Sequence, residues 1–319
     1  MIIPTGHSGW SKKKRNFGYG RQLKYAALSA LHDHYGLEEH HQTKHTHCAR
    51  FGAFTTWIRD NYSIKDARGI TKNHVEHYGE DLLEDVNDEE CSVTYAQNLL
   101  STVNVVLGCL RHDKRLLISP AELVGRRAYI RQTIPQGDWK NVALAVAELD
   151  RKNNPRAAAA LRLTRAFGMR VREAALADLH RLYKEGIANG ECIILEGTKG
   201  GRRADDRCIP MGDAQWEALN YAMQHSPDGS KNLIDSEEKY TEFLYRVINP
   251  ARQTLKQYDL KSYREMRAAF AVDTYEEEAG HPAPIKSKPV NQEAHLRALL
   301  VTSKRLGHNR PEIAHAYVG

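Results

Sequence analysis

Hydrophobic residues recur at intervals of three and four along the first third of the chain, the spacing of amphipathic helices. The apolar stripes fall at Leu23–Leu31, Phe51–Ile58, Val75–Leu83 and Ala96–Leu110. They predict a small helical domain over residues 21–133. The preceding residues 1–20 are rich in Gly, Ser and Lys and contain Lys12-Lys13-Lys14-Arg15. This composition predicts a basic flexible tail, either solvated or lying along a polyanion.

Ile134-Pro135-Gln136-Gly137 interrupts the helical pattern, so we expect a linker over 134–140 and a second domain over 141–319. Helical spacing then returns at Val142–Leu149, Arg156–Phe167, Arg170–Leu179, Asp213–Gln224, Glu237–Leu255, Ser262–Glu278 and His295–Leu306. Between them, the strand-like runs Leu182-Tyr183, Cys192–Leu195 and Arg207–Pro210 predict a three-stranded antiparallel meander. The predicted fold class is therefore mainly α (α+β), with a small antiparallel three-stranded sheet in the second domain.

Composition narrows the function classes. The 319-residue chain has a net charge of +6, which suits a polyanionic partner. Its five cysteines are an odd number with no CxxC spacing, which indicates reduced thiols in a cytoplasmic protein. No apolar run is long enough for a membrane span, and no signal-peptide core is present. Histidines crowd between His40 and Cys48; a zinc site there fits no compact ligand spacing, so a polar loop is the favoured interpretation.

Four places in the second domain carry side chains suited to phosphate chemistry. Arg170 and Glu173 share a helix face. The carboxylate either fixes the Arg170 guanidinium in one rotamer, or the two residues form an ordinary surface ion pair. Lys199 lies in a glycine-flanked turn, where it is either solvated or close to a ligand. Arg267, with Arg264 one turn before it, lies at the edge of an apolar stripe, where burial demands an anionic partner.

The fourth place is the end of the chain, where Leu306-Gly307-His308 is followed by Tyr317. A tyrosine near a terminus is ordinarily a packing residue, so this stretch gains meaning only from what surrounds it. Glycine-rich nucleotide loops, HExxH, GxSxG and a convincing two-metal carboxylate set are absent from the sequence.

Taken in order, these motifs resemble those of the tyrosine recombinase (phage integrase) family. Gly168-Met169-Arg170-Val171-Arg172-Glu173 resembles the first arginine box with its trailing acid. Lys199, followed by Ile209-Pro210, resembles the strand-turn lysine. Arg264-Glu265-Met266-Arg267 with Ala269-Phe270-Ala271 resembles the second arginine box, Leu306-Gly307-His308 the Leu-Gly-His turn, and Tyr317 the nucleophile. The likeness covers residues 140–319 by motif; residues 21–131 are similar only in layout to the family's SAM-like core-binding domain.

The resemblance implies a site-specific recombinase that cleaves and rejoins DNA through a 3′-phosphotyrosyl intermediate, with no metal or cofactor. Arg170, Lys199, Arg264, Arg267 and His308 would serve Tyr317, with Glu173 in support. The protein would act as a homotetramer on double-stranded recombination sites, with DNA-bending proteins as accessories. It would work in the nucleoid and not at a membrane. We expect phosphate contacts from a basic set comprising Arg111, Lys114, Arg115, Arg126, Arg127, Arg131, Arg202 and Arg203.

Arg264 stands where the family most often has histidine, and a permanent cation is a poor proton carrier. Two residues follow Tyr317, so we expect subunit contacts from elsewhere, such as 279–306. Integration or excision of a mobile element is the favoured role. Three alternatives remain: a catalytically impaired DNA-binding factor with this fold, an Xer-like dimer resolvase and a type IB topoisomerase.

Overall fold

The structure is a computed structural model that describes residues 9–198, 207–308 and 310–319. The chain divides into two units, Met1–Ala128 and Tyr129–Gly319. The predicted linker at 134–140 lies inside the second unit, and its last residues begin a helix because Asp138 caps the Lys140 and Asn141 amides.

The first unit is helical throughout its regular elements. Its helices are α1 (Leu23–Tyr35), α2 (His41–Tyr62), α3 (Lys72–Asn87), α4 (Val93–Arg111) and α5 (Pro120–Val124). The four predicted stripes form the buried faces of α1 to α4 around one core. By length and composition alone, helix α4 is apolar enough to span a membrane. However, 56% of its apolar 18-residue stretch is buried inside the unit, as in the core helix of a globular domain.

Two expectations for this unit need correction. Within the predicted tail, Phe17 and Tyr19 are buried in the core, and the Trp10 indole donates to the Leu110 carbonyl (3.0 Å). Aromatic side chains anchor this stretch despite its basic composition; residues 1–8 lie outside the described part. The predicted polar loop at His40–Cys48 is instead mostly the first two turns of α2, where His47 Nδ1 lies 3.1 Å from Thr102 Oγ1.

The second unit combines helices with a small sheet. Its helices are α6 (Trp139–Arg151), α7 (Pro155–Phe167), α8 (Val171–Leu176), α9 (Leu179–Asn189), α10 (Asp213–Gln224), α11 (Tyr240–Phe243), α12 (Asn249–Gln257), α13 (Tyr263–Ala279), α14 (Gln292–Arg305) and α15 (His315–Val318). A π-helical segment, Leu244–Ile248, joins α11 to α12. Helices α7 and α13 pack together in the core of this unit.

The sheet has two antiparallel strands within the described residues, β1 (Glu191–Ile193) and β2 (Cys208–Pro210), with Cys192 opposite Ile209. The predicted fold class, mainly helical with a small antiparallel sheet, is confirmed. The prediction of a third strand at Leu182-Tyr183 is wrong. Leu182 and Tyr183 lie in α9, whose apolar side chains follow helical spacing. Two apolar residues in a row were too short a pattern to separate a strand from a helix.

Candidate active site

Three arginines and one glutamate form a mostly buried cluster where α7, α8, α13 and the turn after α14 meet. Helix α7 ends at Gly168, whose φ of 62° suits glycine; a Cβ there would lie 2.3 Å from the Phe270 ring. The chain therefore turns sharply and places Arg170 at the N-terminus of α8. From there the Arg170 amide and guanidinium both donate to Glu173, at 2.7 and 2.6 Å.

Glu173 is the centre of this cluster, with no exposed surface. In addition to its contact with Arg170, the Glu173 carboxylate lies 3.0 Å from Arg207 Nη2 and 3.6 Å from Arg267 Nη1. Burial opposes ionisation of this carboxyl group, but the neighbouring Arg207 and Arg267 guanidiniums hold its pKa below the usual value. Among the described residues, one carboxylate thus faces three cations, which leaves an excess of positive charge at a mostly buried place.

Arg267 is 3% exposed and is held mostly by backbone carbonyls. Its Nη1 donates to Gly168 O, and its Nη2 donates to Leu306 O at 2.5 Å. Its Nε is buried without a hydrogen-bond partner among the described residues. Burial lowers its pKa to about 10, so the guanidinium remains a cation at neutral pH. This arginine is thus held in place by hydrogen bonds and retains donor capacity that the described residues do not use.

Arg207 is the functional candidate that the sequence motifs missed. Its side chain is 1% exposed; Nε donates to Arg305 O at 3.0 Å, and Nη1 has no partner in the described part of the chain. A Cβ at Gly307 (φ 69°) would lie 3.1 Å from the Arg207 side chain, so glycine lets the Leu306–His308 turn close over it. An arginine directly before strand β2 (Cys208–Pro210) was the available signal.

His308 and Tyr317 lie on the open side of the arginines. The two rings are 6.1 Å apart, and His308 Nε2 is 3.4 Å from Arg267 Nη2. The Arg267 guanidinium carbon lies 5.7 Å from the centre of the Tyr317 ring. Burial, and next the Arg267 and Arg170 charges, lower the pKa of His308 to about 4. At neutral pH this imidazole is therefore uncharged and able to accept or donate a hydrogen bond.

One described residue of the predicted catalytic set, Arg264, is not part of this cluster. Arg264 is exposed near the start of α13 and has no hydrogen bond to the cluster in the described part of the chain. Arg264 and Arg267 are three residues apart on one helix, yet Arg267 is buried in the cluster and Arg264 is exposed. Lys199, with Arg202 and Arg203, lies outside the described residues. No group of three potential metal ligands occurs among the described residues.

The predicted phosphate contacts divide into two groups. Lys114, Arg115 and Arg126 are exposed. The other three described members have partners inside the protein: Arg111 with Asp113 (3.3 Å), Arg127 with Gln97 (2.6 Å) and Arg131 with Glu265 (2.5 Å).

A basic surface in the first unit was missed by the sequence motifs. An open groove of about 1230 Å³ runs beside α1 and α2, with the small residues Ala49, Gly52 and Ala53 in its lining. We call it the α1–α2 groove. Its cationic lining residues are Arg15, Arg21, Lys24, Arg59 and Lys65, with Asp60 as the acidic one. Arg15 belongs to the basic run Lys12–Arg15, but the other four cations are dispersed in the sequence, so no charge run marked them.

Comparisons with known proteins found a family model and solved structures that are similar to this chain. Residues 131–273 match the family model described as Integrase. No curated protein matches the sequence. Among solved structures, the chain is similar to the Tn1549 transposon integrase in complex with circular intermediate DNA, at 11% identity over 94% of this chain and 96% of that one, with a TM-score of 0.55. A variant of the same integrase on another circular intermediate DNA gives 10% identity, the same coverages and a TM-score of 0.57.

These structural similarities establish a shared fold, since their identities are low. The integrase match covers the segment that contains Arg170, Arg207 and Arg267, and the same unit brings His308 and Tyr317 to that cluster. Residues 131–273 are thus similar to the Integrase family, and the chain shares the fold of the Tn1549 transposon integrase.

Proposed function

We propose that this protein is a site-specific DNA recombinase that cleaves and rejoins strands through a covalent link to Tyr317. The phenol oxygen attacks a phosphodiester, the bond to the 5′-oxygen breaks, and a 3′-phosphotyrosyl link with a free 5′-hydroxyl results. Attack by a partner strand's 5′-hydroxyl reverses the step and completes the exchange. The observation that carries the proposal is the convergence of Tyr317 and His308 on a buried cluster of arginines with excess positive charge.

The arginines supply electrostatic stabilisation. Arg170 is partly exposed, with its guanidinium fixed by Glu173, and Arg267 has unused donor capacity beside the Tyr317 ring. We propose that these two bind the non-bridging oxygens of the scissile phosphate. Their positions are set before DNA arrives, so little reorganisation opposes the build-up of charge in the transition state.

Proton transfers must accompany this chemistry, because a phenol is a weak nucleophile until its proton is removed. The neutral His308 imidazole accepts or shares that proton, and the Arg267 charge stabilises the phenolate. A bound phosphate diester would place negative charge near His308 and raise its pKa, which improves it as a proton acceptor. Lys199, by the sequence resemblance, protonates the departing 5′-oxygen. The proposed reaction uses no cofactor.

The solved relatives support a proposal for the biological setting. The Tn1549 integrase structures contain circular intermediate DNA, and we propose a related role here, integration or excision of a mobile element. The partners would be two double-stranded recombination sites, bound by a homotetramer with DNA-bending proteins as accessories. The protein would act in the cytoplasm on the nucleoid, with the first unit as the core-binding domain.

The test is covalent capture of DNA. The protein is incubated with a pool of duplexes that have a randomised core and a nick within it, so that the released 5′-hydroxyl fragment diffuses away and the link persists. We expect complexes that resist SDS, with the modified peptide mapped by mass spectrometry to Tyr317. Tyr317→Phe should retain DNA binding and form no covalent complex.

The matched control is Tyr245→Phe, since Tyr245 is 76% exposed in the same unit, on the π-helical segment between α11 and α12. A covalent link in the Tyr317→Phe protein would refute the nucleophile assignment. Tight DNA binding by the unaltered protein, without any covalent complex across the pool, would favour the alternative of a DNA-binding factor that has lost turnover.

A further inference from the structure

An ion pair at the start of the second unit lies next to the turn that carries Tyr317. Arg131 Nη2 is 2.5 Å from Glu265 Oε2, and both side chains are 13% exposed. The same carboxylate oxygen accepts from the Gln136 amide at 3.3 Å, and Arg131 Nε donates to Thr133 O at 2.5 Å. We call this arrangement the 131–265 clasp. It fixes the first residues of the second unit onto α13.

The backbone of Arg131 continues the connection. Its amide donates to the His315 carbonyl at 2.9 Å, two residues before Tyr317. On the other side of Tyr317, the Ile285 amide donates to the Val318 carbonyl at 2.8 Å. Helix α15 has four residues, too few to be stable alone. The position of the Tyr317 backbone is therefore set by hydrogen bonds from other segments, and one of them starts at the clasp.

Glu265 links this support to the phosphate site. It precedes Arg267 by two residues on α13, so the clasp joins the helix that holds Arg267 to the turn that holds Tyr317. We propose that Arg131 and Glu265 are positioning residues for strand cleavage, which set where Tyr317 lies relative to Arg267. The inference rests on the proposed function above.

This role differs from the one that the sequence suggested for Arg131. A phosphate contact would leave the Arg131 side chain exposed and unpaired in the protein, and its loss would weaken DNA binding in a salt-dependent way. The structure instead gives this guanidinium a mostly buried carboxylate partner. Because an attacking atom must lie within a fraction of an ångström of its productive position, a shift of the Tyr317 turn lowers the rate of cleavage without lowering affinity.

The first test compares rates and affinities on a nicked duplex recovered from the covalent-capture pool. For Glu265→Gln and Arg131→Gln, we expect the single-turnover rate of covalent complex formation to fall by about 10- to 100-fold, the range that a small misplacement of a reacting group produces. The dissociation constant for DNA should stay unchanged. The charge-swapped protein Arg131→Glu/Glu265→Arg should recover part of the rate.

The matched control is Arg156→Gln, which breaks another partly buried ion pair in the same unit, Arg156–Glu238 at 2.6 Å. It should leave the cleavage rate unchanged. If Arg131→Gln weakens DNA binding while Glu265→Gln has no effect, Arg131 is a phosphate contact and the inference is overturned. If both variants cleave at the normal rate while Tyr317→Phe is inactive, the proposed function stands and the inference fails.

The second test needs no DNA and separates the two claims further. Hydrogen–deuterium exchange of the peptide spanning 313–319 should be faster in Glu265→Gln than in the unaltered protein, because the clasp no longer holds the turn. Exchange in α7 should be equal in the two proteins, which excludes general unfolding. Equal exchange at 313–319 overturns the inference whether or not the protein cleaves DNA.

Discussion

The two units hold their positive charge in opposite ways. In the second unit, Arg207 and Arg267 are nearly inaccessible and are fixed by Glu173 and backbone carbonyls. In the first unit, the cations of the α1–α2 groove lie on exposed side chains around a floor of small residues. Buried cations lie in surroundings of low dielectric constant and are held in one position, which suits transition-state stabilisation. Exposed cations are screened and mobile, which suits binding to a phosphate backbone.

The largest effect should follow loss of the central carboxylate. Glu173→Ala leaves Arg207 and Arg267 buried without their anion, and removal of one partner of a buried ion pair costs about 3–5 kcal/mol of unfolding free energy. Urea denaturation measures it. The control Glu217→Ala removes an exposed carboxylate from α10 and should stay within ~0.5 kcal/mol. Equal, small effects of the two changes would contradict the buried-charge description of this unit.

The next effect separates two arginines of one helix. Arg267→Lys removes the planar donor pattern beside Tyr317, so the single-turnover cleavage rate should fall by about 10²- to 10³-fold, as for loss of one oxyanion donor. Arg264→Ala should change that rate far less, since its side chain is exposed. Rates are measured on the nicked duplex at saturating protein. A comparable loss for Arg264→Ala would return this residue to the catalytic set that the sequence predicts.

A smaller effect concerns pH. In the folded protein the pKa of His308 is about 4, below the unfolded value of about 6.5, so His308 is neutral in both the folded and the unfolded state only well above pH 6.5. As pH falls from there towards 4, the unfolded state binds more protons and stability decreases. For cleavage at sub-saturating DNA, an essential neutral histidine of ordinary pKa would cost about tenfold at pH 5.5, whereas His308 should cost less than about twofold. NMR titration of the His308 ring tests the assignment directly; a midpoint near 6.5 would refute it.

The smallest effect should come from the exposed groove. If Lys24 and Lys65 each neutralise one DNA phosphate, each change to alanine should reduce the slope of log affinity against log salt concentration by about 0.9. The cleavage rate at saturating DNA should not change. Lys72→Ala, on α3 in the same unit, removes an exposed lysine outside the groove lining and should leave the slope intact. An unaltered slope for all three proteins would remove the groove from the DNA-binding surface.

The sequence predicted the regular elements well where periodicity was long. Helix α10 has the predicted bounds, and the stop of α7 at Gly168 follows from a glycine that tolerates positive φ. The prediction failed where the apolar pattern was only two or three residues long, as at Leu182-Tyr183, which lie in a helix and not in a strand. It also failed for the residues before α1, because Phe17 and Tyr19 are buried by partners far along the chain.

The candidate site was predictable in part for the same reason. Four residues of the site belong to motifs whose order in the sequence is enough to predict a single site. They are Arg170, Arg267, His308 and Tyr317. The roles of Arg207 and of the clasp could not be read from the sequence. They depend on which side chains of distant segments are buried together, as when Arg131 meets Glu265 across 134 positions. Spacing in sequence carries no information about such pairs.

The carbonyl of Gly168 accepts hydrogen bonds from both Arg207 and Arg267, and the same two side chains share Glu173. Removing either guanidinium therefore also changes the surroundings of the other. Losses measured from single substitutions will overlap, so their sum will exceed the loss in the double variant. The contribution of each arginine to cleavage is thus a property of the set, and the useful quantity to measure is the coupling free energy between them.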